Sequence, residues 1–186
     1  WHARYFLTLA EAAEPELIGE NQPAWLERLE AEHDNMRAAL DWFADRGAVE
    51  LALRLAGSLS QLWYLNGHLQ SGRRWLETLL AGQTDDVPAP VLAKATRGAG
   101  RLAFEQADFD TSRLFFERSL AFYRGSHDVA GEAVALGNLG AAALELGDYD
   151  EAIAILEAAL GLARTLGDRR SIAFNLNNLG TVLVAK

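Results

Sequence analysis

An all-α fold of stacked helix pairs is predicted by three features of this 186-residue sequence. The first is an internal repeat. Gly100, Gly140 and Gly180 lie 40 residues apart in the related strings Ala99-Gly100-Arg101-Leu102-Ala103, Leu139-Gly140-Ala141-Ala142-Ala143 and Leu179-Gly180-Thr181-Val182-Leu183. The second is composition: Ala and Leu dominate and β-branched residues are sparse, a bias toward helix. The third is that none of the four prolines lies beyond Pro90, so nothing in the second half interrupts helical hydrogen bonding.

From the N-terminus, Trp1 to Ala13 reads as a helix with Tyr5, Phe6, Leu9 and Ala10 turned inward, ended near Pro15. After Pro23, the residues Trp25, Leu26, Leu29, Met36, Ala39, Leu40 and Phe43 form an apolar stripe at helical spacing, with a break expected at His33-Asp34. Gly47 stops this helix and Leu51 to Leu65 starts another. Residues 1–50 thus read as a helical cap or a degenerate leading repeat. The repeats proper occupy 51–186, in units at about 52–86, 92–126, 132–166 and 172–186.

Each unit reads as two helices joined by a tight turn, at Gly67-His68, Ala107-Asp108 and Gly147-Asp148, with no strand expected anywhere. In the clearest unit, Ala133, Leu136, Leu139, Gly140 and Ala143 recur at i, i+3 and i+4 spacing, the stripe of an amphipathic helix. Gly147 can take the positive φ of a C-cap, and Asp148 can cap the next helix. Tyr149, Ala152, Ile153, Leu156, Ala159 and Leu160 make the second stripe, closed by Gly167-Asp168. Neither helix can bury its apolar face alone, so neighbouring pairs must stack. The small residues Gly140, Ala152 and Ala159 would let the helices approach closely.

The unit Leu139-Gly140, Ala143, Gly147-Asp148-Tyr149, Ala152, Leu156 and Ala159 resembles the tetratricopeptide repeat. The resemblance implies a right-handed superhelix of antiparallel helix pairs. The period of 40 exceeds that family's usual 34 or so, which predicts helices longer by most of a turn. Ser112 and Ser119 stand where alanine is usual, as does Gly72 in the unit before.

A second resemblance covers the N-terminal part. His2-Ala3-Arg4-Tyr5-Phe6 and the run Leu29 to Leu40, which contains Glu30-Ala31-Glu32-His33-Asp34-Asn35-Met36-Arg37, look like the region after the nucleotide-binding module of STAND-class bacterial regulators. Those are signal-transduction ATPases often fused to a LuxR-type or winged-helix DNA-binding domain. The resemblance implies a sensor or arm region that restrains the ATPase switch and receives a partner. A free-standing tetratricopeptide adaptor or peptide receptor is the alternative. The absence of an initiator Met before Trp1 and the helical pattern still running at Lys186 suggest a segment of a longer protein.

The chemistry-bearing motifs are few. No Gly-x-x-x-x-Gly-Lys-[Ser/Thr] loop is present to cradle a nucleotide phosphate, nor a Gly-x-Ser-x-Gly elbow or a His-Glu-x-x-His helix. Glu30-x-x-His33 has the spacing of one half of a di-iron site, but the second copy and the further carboxylates such a site needs are missing. His2, His68 and His127 fall at element ends and read as solvated. The expectation is therefore a chain that is not an enzyme and takes no cofactor. A net charge of -9 works against non-specific binding to phosphate backbones, and the two arginine pairs Arg73-Arg74 and Arg169-Arg170 are isolated. With zero cysteines and no apolar run near the roughly 18 residues of a membrane span, the expected location is cytoplasmic.

The five tryptophans, Trp1, Trp25, Trp42, Trp63 and Trp75, lie in the first 75 residues and read as wedges between the irregular start and the regular repeats. Trp63 and Tyr64 are adjacent and must face different ways, so one of them can line a groove.

In tetratricopeptide arrays the first helix of each pair lines the concave face. By that resemblance the groove residues are Arg54, Gln61 and Tyr64, then Lys94, Arg97 and Arg101, then Asn138, Ala141 and Glu145, and finally Asn177, Asn178 and Thr181. Lys94, Arg97 and Arg101 stand at i, i+3 and i+7 and share one helix face. Three cations there suit a carboxylate-bearing partner. The expected partner is a protein or peptide, in particular an acidic segment or the parent protein's own ATPase module.

Overall fold

A computed structural model describes residues 2–186, so Trp1, the expected helix start and one of the expected tryptophan wedges, lies outside the described residues. The described chain is helical throughout, with no strand among the described residues. Ten α-helices run in order: α1 (His2–Ala13), α2 (Gln22–Ala31), α3 (His33–Asp45), α4 (Val49–Leu65), α5 (Leu69–Leu80), α6 (Ala89–Glu105), α7 (Phe109–Gly125), α8 (Val129–Glu145), α9 (Tyr149–Leu166) and α10 (Arg169–Ala185). A short 3-10 turn, Pro15–Ile18, follows α1.

From α4 onward the helices form antiparallel pairs, α4–α5, α6–α7 and α8–α9, and α10 begins the next position. The first helices lie side by side, α4 against α6, α6 against α8 and α8 against α10, while α1 packs on α3 and α4. Each first helix starts three residues ahead of the expected 52, 92, 132 and 172. Local capping explains two of these starts: Asp128 accepts from the Gly131 amide, and Asp168 from those of Arg170 and Ser171.

The turns obey the 40-residue register in their backbone angles. Gly67, Ala107 and Gly147 close the turns within pairs at φ +76°, +58° and +82°. Gly47, His127 and Gly167 close turns between helices at +65°, +56° and +69°. The left-handed conformation costs a residue with a Cβ roughly 1–2 kcal/mol, so Ala107 and His127 are held there by their neighbours. Ala107→Gly is therefore expected to raise stability by about 1 kcal/mol, less what the freer unfolded chain takes back. Urea unfolding checks this, and an unchanged or lower midpoint would mean that residue 107 is not strained. The register fails at the connection 81–88, where α5 ends after 12 residues while α7 and α9 run to 17 and 18.

Close packing follows from small residues at fixed places. A Cβ added to Gly140 would lie 2.6 Å from Leu156 Cγ, and one added to Gly100 would lie 2.8 Å from the Phe116 ring. Both contacts join residues 16 apart, so the register carries the packing as well as the turns. At Gly180 the same Cβ would meet nothing within 4 Å. Ala152 and Ala159 are fully buried, as expected of close helix approach. Ser112 and Ser119 are fully buried too and donate to the carbonyls of Gly100 (2.9 Å) and Ala93 (2.8 Å), bonds that alanine could not make. Gly72 leaves room for the Trp63 ring, which a Cβ would approach to 2.5 Å.

A second repeated device joins neighbouring units. Arg73 Nη2 reaches Asp108 at 2.5 Å and Arg113 Nη1 reaches Asp148 at 2.8 Å, each pair spanning 35 residues. Each aspartate belongs to the turn of the following pair, so these half-exposed bridges set the stacking of one unit on the next.

Several expectations for the N-terminal part need correction. Tyr5 is 57% exposed, whereas Phe6, Leu9 and Ala10 are buried as expected, together with Ala3, Leu7 and Ala13. Trp42 is also exposed, under Arg46, whereas Trp63 is buried and Trp25 and Trp75 are half-buried against the core. The break at His33-Asp34 falls at Glu32, between α2 and α3. That break leaves Glu30 and His33 on separate helices. Glu30 instead bonds Asn66 and the His68 ring (3.2 Å), and these bonds hold its carboxyl below the usual range. His33 and His68 stack with centroids 4.4 Å apart, so His68 is an interhelix contact and not a solvated end.

Candidate partner-binding groove

The inner face is built from α4, α6, α8 and α10. Its N-terminal part is closed by α1. Arg54 on α4 donates from Nε to Glu11 Oε1 at 2.8 Å and from Nη2 to Oε2 at 3.1 Å, a two-point pairing across helices. Lys94 on α6 bonds the Glu14 carboxylate and also Ser58 Oγ at 2.9 Å. The expected row of three available cations is corrected accordingly. Lys94 and Arg54 are already neutralised by Glu14, just after α1, and Glu11 of α1, pairings that no spacing in the sequence reveals.

The open part begins at the next turn of α6. Arg101 lies with its guanidinium 4.0 Å from the centre of the Tyr64 ring, a cation–π contact that fixes its direction. Arg97, one turn earlier, has no ion pair among the described residues. Both arginines line a cavity of about 430 Å³ together with Gln61, Asn138, Asp168, Arg170 and Asn175. Ile18, Tyr123, Val134 and Phe174 supply apolar wall.

The electrostatics of this cavity are positive despite the acidic chain. Arg97, Arg101 and Arg170 face one carboxylate, Asp168. That carboxylate accepts from the Ser171 hydroxyl (2.6 Å) and from the amides of Ser171 and Arg170. The hydroxyl and amide bonds hold its carboxyl below the usual range, so its oxygens are committed to capping α10.

Asn175 is the unusual member. It is 1% exposed, and neither its amide nitrogen nor its carbonyl oxygen has a hydrogen-bond partner among the described residues. It fits only because Gly137 lacks a side chain: a Cβ there would lie 2.7 Å from Asn175 Oδ1.

The expected groove residues divide among four fates. Gln61, Arg97, Arg101 and Asn138 meet at the cavity, with Tyr64 under Arg101. Arg54 and Lys94 are paired with Glu11 and Glu14. Glu145, Asn177, Asn178 and Thr181 lie outside the cavity lining, Thr181 bonding the Asn177 carbonyl at 3.1 Å and Asn178 keeping an unpartnered buried nitrogen. Ala141 is packed and buried. Sequence reasoning missed Ile18, Asp168, Arg170 and Asn175. A signal for Asn175 existed: the register aligns it with Ala95 and Ala135, both fully buried, so a polar side chain at that place stands out.

Another cavity, of about 440 Å³, opens between α3, α4 and α5 and is lined by His33, Arg37, Trp63, Arg74 and Trp75 among others.

Paired helices in register, with a polar inner face and no helix long and apolar enough to cross a membrane among the described residues, define a tetratricopeptide-type scaffold. The comparisons agree as far as they reach. Residues 131–186 match the tetratricopeptide repeat family. Over its full length the chain is similar in structure to a kinesin light chain of Podosopora anserina with nearly identical TPR-like repeats (TM-score 0.69, 16% identity, 100% of this chain and 88% of that one). It is also similar to BtubC from P. vanneervenii (TM-score 0.65, 15% identity, 99% and 82%). At such identities the likeness is one of fold. In sequence, 82 residues are 34% identical to proteins named as HTH-type transcriptional regulators of Mycobacterium bovis and Mycobacterium tuberculosis, a match covering 44% of this chain and 9% of theirs. The chain thus matches a small part of those regulators' length.

Proposed function

We propose that this chain is the protein-binding repeat region of a larger bacterial regulator, non-catalytic itself, acting in the cytoplasm. Its inner face receives an acidic segment, either of a partner protein or of the parent protein's own ATPase module. The observation that carries this reading is the cavity between α6, α8 and α10, where three arginines face one carboxylate that is already used as a helix cap. The same face carries such pairs internally, since its other two cations bind the carboxylates of Glu11 in α1 and Glu14 just after it. The partial identity with HTH-type regulators supports the regulatory setting. No nucleic-acid contact is assigned to this segment, because the three arginines sit in a cavity among apolar residues instead of forming an exposed basic stripe.

Site-specific photocrosslinking in the full-length regulator tests the reading. A crosslinker at Gln61 or Asn138 is expected to capture a protein segment, and one at Arg118, exposed on α7, is expected to capture little. Equal capture at all three positions would remove the inner face from the mechanism.

A further inference from the structure

We infer that the cavity between α3, α4 and α5 is a binding site for a small aromatic monocarboxylate. It shares no lining residue with the arginine cavity of the inner face, so it stands apart from the protein-binding reading above.

The chain departs from its own repeat twice to build the wall of this cavity. The 40-residue register aligns Trp63 with Ala103 and Ala143, and Gly72 with Ser112 and Ala152, all four of them buried. Alanine satisfies the stacking of the later units at the first place, so stacking alone does not call for an indole. The ring enters because α5 gives up a side chain opposite it: a Cβ on Gly72 would lie 2.5 Å from Trp63 Cδ2. Trp63 is 3% exposed, and the buried side chains of Met36, Leu40 and Leu59 line the cavity with it. Trp75, half-buried on α5, lines it as well. Trp25 and Trp42 each carry an arginine over the ring, Arg28 at 4.9 Å and Arg46 at 4.1 Å. Trp63 and Trp75 have neither a cation nor a second aromatic ring stacked on them among the described residues.

The charge lies at the rim. Arg37 of α3 and Arg74 of α5 line the cavity from two helices, both exposed and neither in an ion pair among the described residues. Asp41 is the one carboxylate in the lining. Counting His33 as neutral, two cations against one anion leave a single positive charge, the complement of one carboxylate. A guanidinium pairs with a carboxylate through two parallel hydrogen bonds, and a flat ring packs well on an indole. A concave volume of about 440 Å³, apolar within and bearing a few polar groups, is the usual form of a small-molecule site.

The probe is 2-naphthoate, titrated by calorimetry into the 186-residue chain. Saturable binding of one molecule is expected, about tenfold tighter than that of 2-naphthamide, which has the same rings without the charge. Decahydro-2-naphthoate, which keeps the charge without the π face, is expected to bind at least about threefold more weakly. Arg37→Glu and Arg74→Glu should each weaken 2-naphthoate at least about tenfold, and the free variants should melt with the wild type because both side chains are exposed and unpaired. Thr78→Trp, which fills the mouth from an exposed position on α5, should abolish binding. Arg97→Glu with Arg101→Glu, in the other cavity, should leave it unchanged. No binding of 2-naphthoate, equal binding of either analogue, or affinity that survives both Arg37→Glu and Arg74→Glu would overturn the inference. Loss of binding in the Arg97/Arg101 variant alone would place the ligand on the inner face and overturn it as well. So would a photocrosslinker at Thr78 of the full-length regulator that captures a segment of the same chain whether or not 2-naphthoate is present, since the cavity would then be an internal interface.

Discussion

Gly140→Leu is expected to destabilise the array by about 2–3 kcal/mol, at the upper end of the cost of overpacking a close contact. Even the first atom of a side chain at 140 would stand 2.6 Å from Leu156 Cγ and 3.4 Å from its backbone nitrogen. Leu156 is itself fully buried, so it has nowhere to retreat, and α8 and α9 must separate. Ala152→Leu and Ala159→Leu are expected to act alike, since both alanines are fully buried. The informative control is Gly180→Leu. It occupies the same register position, yet a Cβ there meets nothing within 4 Å, and removing a glycine from a helix interior is worth roughly 0.5–1 kcal/mol. Urea denaturation of the four variants decides the matter. If Gly140→Leu and Gly180→Leu shift the midpoint equally, α8 and α9 do not meet as described.

The second large effect is on binding. Arg97→Glu with Arg101→Glu replaces two of the three cavity cations by anions, and capture of an acidic partner should fall by at least about tenfold at low salt, mainly in association rate. The difference should shrink as salt rises, because the Debye length drops to roughly 3 Å at 1 M. Stability should change little: Arg97 has no ion pair among the described residues, and Arg101 loses a stack on Tyr64 worth about 0.5–1 kcal/mol. Arg54 and Lys94 should respond in the opposite sense. Reversing them breaks bridges to Glu11 and Glu14, so their variants should lose stability before they lose affinity. Stopped-flow association rates at several salt concentrations check both statements. Rates for the Arg97/Arg101 variant that match the wild type at low salt would return those arginines to a solvated face.

Much of the fold was legible because its determinants are periodic. Turn glycines, the apolar stripes and the close-approach residues all recur at one spacing, and each is a local requirement of backbone or volume. The register predicted a turn at Ala107, and the structure shows that residue left-handed although it is not glycine. Legibility ended where periodicity ended. The shortened α5 and the connection 81–88 follow no repeat, and in α1 Phe6, Leu9 and Ala10 are buried as expected while Tyr5, expected beside them, is exposed. In the groove, four expected residues meet at the cavity, whereas Lys94 shares the helix face of Arg97 and Arg101 and still has a different role.

The sequence by itself determined the helix pairs, their turns and which small residues lie between them, because these depend on the order and spacing of side chains within one unit. Only the tertiary structure decided which cations remain available. Glu11 reaches Arg54 across 43 residues and Glu14 reaches Lys94 across 80, pairings that depend on how α1 settles on its neighbours. It also decided that Asn175 is buried without a partner, since this requires α10 to lie against Gly137 of α8. Spacing along the chain fixes the face a residue occupies on its own helix, and packing between helices fixes what that face meets.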